Sequence, residues 1–293
     1  MPVQSREASE SGSEVAFQID RVVFAWAHLE ALAGAFASVG LTTDYGGIHT
    51  NGATHMATLG FGDGSYLELI SVRQPGQQAP VWQHHIATNG GICAWSVSVG
   101  DVHRISDRLR ALGMPVDGPR SSSRRRPDGE KIESEIAFVG AEGMGSLHPF
   151  MITDRTPREN RVRLSDSVAG TGLAGLHSVV LAAPNAEAAA IELQRVYGAG
   201  EPVDIDAGAF PGRTVQLHGE PVAITSPATD DDWVAKRLET YGPTPCACLV
   251  RSTSMAASRR RLPLSKPTPF GDRDVAWISS ETLQPLRIGV VAE

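Results

Sequence analysis

The amino-acid sequence repeats one order of structural signals four times: a strand, a helix and then three short strands. In the first copy, an apolar strand pattern at residues 17–26 leads into a helical pattern in which Leu29, Leu32 and Phe36 share one face. Short strand-like segments follow, and two of them are joined by a Gly-Asp-Gly turn at residues 62–64 that is typical of a β-hairpin. A repeat constrains the fold strongly, because each copy buries its apolar faces against a neighbour. The sequence therefore predicts an α+β protein built from βαβββ modules.

The second and third copies follow the same order and carry recognisable helix ends. The second begins as an apolar strand at residues 91–99, and Asp101 is placed to cap the helix after it. The third begins at residues 175–184, where Asn185 is the predicted helix cap and Gly198 the predicted stop. These positions predict a helix between the first two strands of each module.

The fourth copy, at residues 246–292, shows the pattern least regularly, because its helix is short and rich in Ser and Arg. The alternative to four modules is a generic α+β protein in which short apolar segments only imitate a repeat. If the modules are real, the chain divides into a flexible polar tail (1–14), a first half of two modules (15–160) and a second, divergent half of two modules (170–293).

Net charge argues against binding to nucleic acid. The chain has 293 residues and a formal charge of -7, which repels a polyanion over most of the surface. Two basic runs, at residues 124–126 and 259–261, are interpreted as solvated surface, because no base-stacking aromatic residues interleave with them.

Cysteine usage and hydropathy indicate a cytoplasmic protein that does not enter a membrane. The three cysteines are Cys93, Cys246 and Cys248, and they form no CxxC pair, which is typical of a reducing compartment. No apolar run approaches the roughly 18 residues of a membrane span, and the polar start lacks the apolar core of a signal peptide.

Six short motifs stand out in the first half of the chain: IDRVV (19–23), GGIH (46–49), GATH (52–55), GDGSYLELI (62–70), SRRRPDGE (123–130) and HPFMITDRTPRENR (148–161). They resemble motifs of the vicinal-oxygen-chelate superfamily, and among its members those of the glyoxalase-like proteins. The resemblance covers roughly the first 160 residues by motif and the rest only by the repeated order of strands and helices. It implies that curved mixed sheets, built from paired modules, enclose a cavity for a small molecule. It also implies that the second half is a divergent glyoxalase-like half.

Glu68 stands where the metal-using members of the superfamily have a carboxylate ligand on the last strand of the first module. In the segment SYLELI, placing Leu67 and Leu69 against the helix directs Tyr66 and Glu68 into the cavity. A buried glutamate needs a metal, a cation or a hydrogen bond to remain charged. Glu68 is therefore either a metal ligand, a general base or one half of an ion pair with Arg21.

Arg21 departs from the superfamily's metal site, because it replaces the first-strand histidine ligand. A guanidinium group is always charged and repels a metal ion instead of binding it. Arg21 is expected either to pair with Glu68 or to bind a substrate carboxylate through two hydrogen bonds.

His49 and His55 are potential metal ligands close to Glu68 in the sequence. With Glu68 they would form a three-ligand site for one divalent ion such as Mn, Fe, Ni or Zn. Alternatively, the protein holds no metal and one histidine acts as an acid or base that Glu68 orients. The second module offers apolar groups in place of ligands. Its Trp95 and Phe150 are candidates for stacking on a ligand, and the alternative for each is packing in the core.

Two functions remain open at this level. In the first, the protein is an enzyme of lyase, isomerase or ring-opening type, with Glu68, His55 and Arg21 as catalytic residues and His49 and Tyr66 in contact with substrate. In the second, it is a metal-free protein that binds and sequesters a small molecule, as drug-resistance members of the superfamily do. The partner expected is a small oxygenated molecule for the enzyme and a small aromatic compound for the binding protein. A homodimer is a further expectation, since sheet edges in this fold are often covered by a partner chain.

Overall fold

Each module has the predicted order of one strand, one helix and three strands in the computed structural model, which describes residues 17–141, 145–281, 283 and 286–293. The predicted tail at residues 1–14 lies outside the described residues. The first module comprises β1 (Ile19–Ala25), α1 (Leu29–Ser38), β2 (Asp44–Ile48), β3 (Thr54–Gly60) and β4 (Tyr66–Val72), and the short helix α2 (Gln83–Ala87) follows it. The second module comprises β5 (Gly91–Ser98), α3 (Val102–Ala111), β6 (Val116–Arg125), β7 (Lys131–Val139) and β8 (Phe150–Asp154).

The second half repeats this order after a connection that contains α4 (Arg158–Arg161) and a 3-10 turn at Asp166–Val168. Its third module comprises β9 (Leu173–Ala182), α5 (Ala186–Tyr197), β10 (Pro202–Ile205), β11 (Thr214–Leu217) and β12 (Val222–Thr225), and α6 (Trp233–Tyr241) follows. The fourth module comprises β13 (Thr244–Ser252), α7 (Met255–Arg261), β14 (Thr268–Phe270), β15 (Arg273–Trp277) and β16 (Ile288–Ala292). The prediction of repeated βαβββ modules is therefore confirmed, including the irregular fourth copy.

The predicted helix ends are also confirmed. The Asp101 carboxylate accepts hydrogen bonds from the backbone N–H groups of His103 and Arg104 at the start of α3. The Asn185 side chain accepts one from Ala188 at the start of α5, and Gly198 ends that helix in the left-handed conformation at φ 70°.

The four modules form two eight-stranded sheets of identical topology. The first sheet has the order β2-β3-β4-β1-β5-β8-β7-β6, and the second has the order β10-β11-β12-β9-β13-β16-β15-β14. Strands β1 and β4 are parallel, whereas β1 and β5 are antiparallel, so β1 and β5 join the two modules at the centre of the sheet. Modules therefore pair in chain order, the first with the second and the third with the fourth.

Both sheets curl until their outer strands meet. A single antiparallel bridge between His49 and Arg124 joins the β2 edge to the end of β6, and a bridge between Ala207 and Phe270 does the same in the second sheet. The outer strands of each sheet are thus joined within one chain. The concave side of each sheet becomes an enclosed space, as the family resemblance implies.

The two concave spaces are filled differently. In the second sheet, aromatic rings pack together on the concave face, with Phe210 lying 5.8 Å from Trp233, 6.1 Å from Phe270 and 5.9 Å from Trp277 between ring centroids. In the first sheet, the corresponding face borders a cavity. The halves are held together by a shared core, in which Phe17 contacts rings of both halves.

Strand β6 is the main element that the sequence patterns did not predict. Its sequence VDGPRSSSRR is mostly polar and has no alternation of apolar and polar residues. It is a strand because eight of its ten residues pair with β7 in an antiparallel ladder that is irregular between Asp117 and Arg120. None of the helices in the described ranges is long and apolar enough to cross a membrane.

Candidate functional site

A cavity of about 630 Å³ lies on the concave side of the first sheet. Apolar side chains from β3, β4, β7 and β8 form most of its wall, namely Met56, Ile70, Ile132, Ile136, Phe150 and Ile152. A polar group of side chains lies at one place in this wall and contains Arg21, His49, Tyr66, Glu68, Arg124 and Arg161. The cavity therefore combines an apolar wall with a charged region.

Glu68 and Arg21 form an ion pair in the charged region. Glu68 is 4% exposed, and its Oε2 lies 2.9 Å from Nε of Arg21. The Nε group has no hydrogen-bond partner of suitable angle, so the contact is electrostatic rather than an aligned hydrogen bond. Tyr66 and Glu68 face the cavity, while Leu67 and Leu69 pack in the core, which is the orientation that the alternation in SYLELI predicts.

The Glu68 carboxylate is held in its ionised form. Burial by itself would raise its pKa, but the Arg21 guanidinium and the hydrogen bond from His49 outweigh burial and lower the pKa to about 2. His49 Nε2 lies 3.5 Å from Glu68 Oε1, and His49 Nδ1 lies 2.8 Å from Thr54 Oγ1. Both ring nitrogens of His49 thus face a polar partner.

A second layer of charges lies behind this pair. Arg21 Nη1 is 3.0 Å from Asp20 Oδ2, and the fully buried Asp20 also accepts two hydrogen bonds from Arg161, of 2.7 and 2.9 Å. Arg161 binds Asp154 in the same two-pronged way, and Arg158 also contacts Asp20. Burial raises the Asp20 pKa, yet the surrounding arginines overcome that effect and hold it well below its ordinary value. Asp20 and Arg161 were not singled out by sequence analysis, since a lone charged residue beside a strand carries no signal of burial.

Tyr66 provides a neutral hydroxyl beside these charges. Arg161 Nη1 donates a hydrogen bond of 3.1 Å to the Tyr66 oxygen, and the Arg21 guanidinium carbon lies 5.5 Å from the centre of its ring. Burial raises the Tyr66 pKa above its ordinary value. The phenol therefore keeps its proton at neutral pH, and that proton is available to an acceptor in the cavity.

Aromatic rings cover the opposite side of the charged region. The Phe150 ring lies 4.7 Å from the Arg21 guanidinium carbon, 5.3 Å from Phe138 and 6.3 Å from Trp82. Phe138 and Trp82 both line the cavity and were not predicted. Trp95, which was expected there, is fully buried on the core face, where its indole N–H donates to the carbonyl of Ser146.

His55 lies on the wrong face of β3 for the predicted three-ligand site. In the antiparallel pair of β3 and β4, Thr58 lies opposite Glu68 and faces the same side, whereas His55 lies opposite Ser71. Side chains three positions apart on a strand point to opposite faces. His55 therefore packs on the outer side, with its ring 6.0 Å from that of Tyr45, and burial lowers its pKa.

The residues present do not fit the divalent metal that the superfamily resemblance implies. At the positions where the resemblance implies ligands in the first module stand Arg21 and a Glu68 already paired with it. The second module contributes apolar residues of β5 and β8 on this side of the sheet, among them Ala94, Phe150 and Ile152. Within the described ranges, no three His, Cys, Asp or Glu side chains come close enough to hold an ion. The positive charge next to Glu68 is supplied by the protein itself.

Arg124 is a cavity residue, although the basic run at residues 124–126 was interpreted as solvated surface. It lies on β6 opposite Ile132, and side chains on this strand alternate, so that Arg124 faces inward while Arg125 is exposed. Its guanidinium group donates hydrogen bonds to the carbonyls of Gly46 and Arg161. The interpretation as surface is therefore wrong for one of the three arginines.

Comparison with known proteins gives a family and a fold. The sequence model of the family described as "Glyoxalase-like domain" matches residues 19–197. Among solved structures, a hypothetical protein from Staphylococcus aureus superposes with a TM-score of 0.60 at 10% identity, over 94% of this chain and 98% of that one. The Mn(II)-bound glyoxalase from Novosphingobium aromaticivorans superposes with a TM-score of 0.57 at 13% identity, over 95% and 82%.

A 2,2',3-trihydroxybiphenyl 1,2-dioxygenase from Sphingomonas wittichii strain RW1 is similar at a TM-score of 0.53 and 12% identity, over 95% of this chain and 91% of that one. At these identities the structural matches establish the fold alone. A search of curated proteins gave no match.

Proposed function

Because the chain belongs to the glyoxalase-like domain family of the vicinal-oxygen-chelate superfamily, we propose that it binds a small organic molecule in the cavity of its first half, without a divalent metal beside Glu68. The ion pair between Arg21 and Glu68, 2.9 Å long, carries this proposal. The neighbour from Novosphingobium aromaticivorans holds Mn(II), whereas here a guanidinium group stands at the first-strand ligand position. A fixed cation at that position repels a second one.

The dimensions and lining of the cavity support binding of a small organic molecule. A volume of about 630 Å³ lies within the range of about 300–1,000 Å³ that is usual for ligand pockets. Trp82, Phe138 and Phe150 offer ring faces for an apolar body, and Arg21, Tyr66 and Arg124 offer hydrogen-bond donors for oxygen atoms. A metal is not needed to orient an oxygenated ligand when donors of this kind converge.

A second candidate function is acid–base catalysis of the lyase, isomerase or ring-opening type. The observation that favours it is the contact of 3.5 Å between His49 and Glu68 at the cavity wall. With a pKa of about 2, Glu68 is a poor proton acceptor at neutral pH, so His49 would carry the proton and Glu68 would orient it. His55, on the outer face of β3, has no part in this arrangement.

Ligand titration of wild-type protein and two matched variants tests the binding proposal. The probes are benzoate, 2-naphthoate and anthracene-2-carboxylate, each with its carboxamide, measured by calorimetry. Ile136→Trp fills the cavity from β7, whereas Lys131→Trp adds the same ring to the outer side of that strand. Saturable binding that weakens at least about 10-fold in Ile136→Trp alone supports the proposal. Absence of binding by every probe, or equal binding by both variants, contradicts it.

Glu68→Gln separates binding from catalysis. For a binding protein, this variant changes only the affinity, and no bound compound is consumed by wild-type protein. For an enzyme, it abolishes turnover while affinity is largely retained. Turnover that survives Glu68→Gln contradicts the role of the His49–Glu68 pair.

A further inference from the structure

Arg124 is a cavity-lining cation that has no carboxylate in direct contact, although Glu68 attracts it at longer range. Among the residues that the structure describes, no carboxylate lies within ion-pair distance of it, and its identified hydrogen bonds go to two neutral backbone carbonyls, of Gly46 and Arg161. Burial lowers its pKa below the ordinary value for arginine. A guanidinium group nevertheless keeps its charge in proteins.

The other cations of the site are already paired. Arg21 contacts Asp20 and Glu68, and Arg161 binds both Asp20 and Asp154. Arg158 also forms an ion pair with Asp20. In the described part of the chain, four guanidinium groups therefore share three carboxylates around the charged region, with Arg124 as the one left over. Arg120, at the cavity rim, pairs with the exposed Asp117.

We propose that the ligand is an organic anion whose carboxylate, or a similar planar oxyanion, is bound by Arg124. This inference rests on the proposed function, because it assigns the chemistry of the molecule that the cavity binds. A guanidinium group offers five N–H donors, of which two are accounted for by the carbonyls of Gly46 and Arg161. The others are available to a carboxylate, which matches the fork of the guanidinium in a two-pronged contact.

Two further features fit an anionic aromatic molecule. The Tyr66 hydroxyl accepts from Arg161 and retains a proton that it can donate to the same oxyanion. Phe138, Phe150 and Trp82 provide apolar surface away from the charges. The neighbouring Glu68 disfavours an anion, but its charge is neutralised by Arg21 at 2.9 Å. The ligand class is therefore a carboxylate with an aromatic or bulky apolar body.

The matched pair of 2-naphthoate and 2-naphthamide tests the charge of the ligand directly in wild-type protein, because the two probes share shape and differ in charge. We expect the carboxylate to bind at least about 10-fold more tightly, as is typical when a charged hydrogen-bond pair replaces a neutral one. In Arg124→Gln the ratio of the two affinities should fall to about 1. Arg125→Gln, which removes the same charge from the exposed face of β6, should leave the ratio unchanged.

Arg124 also joins the edges of the sheet through its bridge to His49, so Arg124→Gln is checked for folding by thermal unfolding. If that variant does not fold, Arg124→Lys takes its place, and loss of the two-pronged geometry should lower the ratio by several-fold. A ratio unchanged in the folded Arg124 variant overturns the assignment to Arg124. Equal affinities for both probes in wild-type protein overturn the anionic ligand and leave the cavity proposal standing. Binding of neither probe, with no binding by the rest of the panel, overturns the proposed function and this inference with it.

Discussion

Arg21 and Glu68 face each other from the neighbouring parallel strands β1 and β4, with 2.9 Å between Nε and Oε2. The superfamily resemblance implies metal ligands at these two positions. Here the arginine supplies the positive charge that a metal would otherwise supply, and it does so as part of the folded chain. The proposed binding of a small molecule without a metal beside Glu68 rests on this pair.

Removal of Arg21 should destabilise the protein more than removal of Glu68. In Arg21→Met, Glu68 loses its main cation while it stays 4% exposed, so we expect a loss of about 3–5 kcal/mol in the free energy of unfolding. In Glu68→Gln, Arg21 keeps Asp20 as a partner, and the expected loss is about 2 kcal/mol. Urea unfolding measures both. Arg120→Met, which breaks the exposed pair with Asp117, is the control and should lower the free energy of unfolding by less than about 1 kcal/mol. A loss of the same size in Arg21→Met would show that Arg21 does not stabilise the buried Glu68.

The stability of the protein should fall in acid partly because of Glu68. Its pKa is 4.5 ordinarily and about 2 in the fold, so the unfolded chain takes up a proton at a higher pH than the folded chain. The contribution of Glu68 is therefore complete above about pH 5 and is lost as the pH falls from there toward 2. Over this interval the unfolding free energy of wild-type protein should decline more steeply than that of Glu68→Gln, by up to about 1.4 kcal/mol per pH unit. Urea titrations at several pH values between 3.5 and 6 give both slopes. Parallel curves would show that the fold does not lower the pKa of Glu68.

Arg21→His should create a metal site that the wild-type protein lacks. The new imidazole would join His49 and Glu68, which are already 3.5 Å apart, and three such side chains suit Mn²⁺, Fe²⁺, Ni²⁺ or Zn²⁺. Elemental analysis after loading and desalting should find close to one equivalent of metal in this variant. Arg21→Gln, which removes the charge without adding a ligand, serves as control and should retain none. Metal at one equivalent in wild-type protein, lost in Glu68→Gln, would refute the view that Arg21 replaces the ion.

Trp82 and Phe138 should contribute to ligand affinity, whereas Trp95 should not. Truncation of either cavity ring to Ala should weaken binding of 2-naphthoate by about 5- to 30-fold, because each loses a stacking surface worth about 1–2 kcal/mol. Trp95→Phe lowers stability, since Trp95 is fully buried in the core, but leaves the affinity unchanged at a temperature where the variant is folded. An affinity that depends on Trp95 and not on Phe138 would show that the ligand binds outside this cavity.

The modular fold could be predicted from the sequence because its signals are local. Helix caps such as Asp101 and Asn185, and the apolar stripe of each helix, depend only on neighbouring residues. The inward direction of Tyr66 and Glu68 was predictable for the same reason, since leucines alternate with them along β4. Strand β6 was missed because its sequence has no apolar alternation, although its pairing partner β7 follows directly in the chain.

The site was harder to predict because it depends on register between strands. Both faces of β3 carry apolar residues, so alternation alone does not tell whether His55 or Met56 faces the cavity. On β5, an irregularity in the ladder near Cys93 shifts the alternation and turns Trp95 toward the core. The cavity position of Arg124 follows from its place on β6, which the basic run by itself does not reveal.

Chelator dependence of ligand binding shows whether the Arg21 guanidinium takes the place of a metal ion in the cavity. The dissociation constant of the tightest aromatic acid in the panel is measured for wild-type protein before and after exhaustive treatment with EDTA, and again after addition of Mn²⁺ or Zn²⁺. We expect one dissociation constant under all these conditions, because the Arg21 guanidinium stands in the place of the ion. Binding that disappears with EDTA and returns with added metal would contradict it.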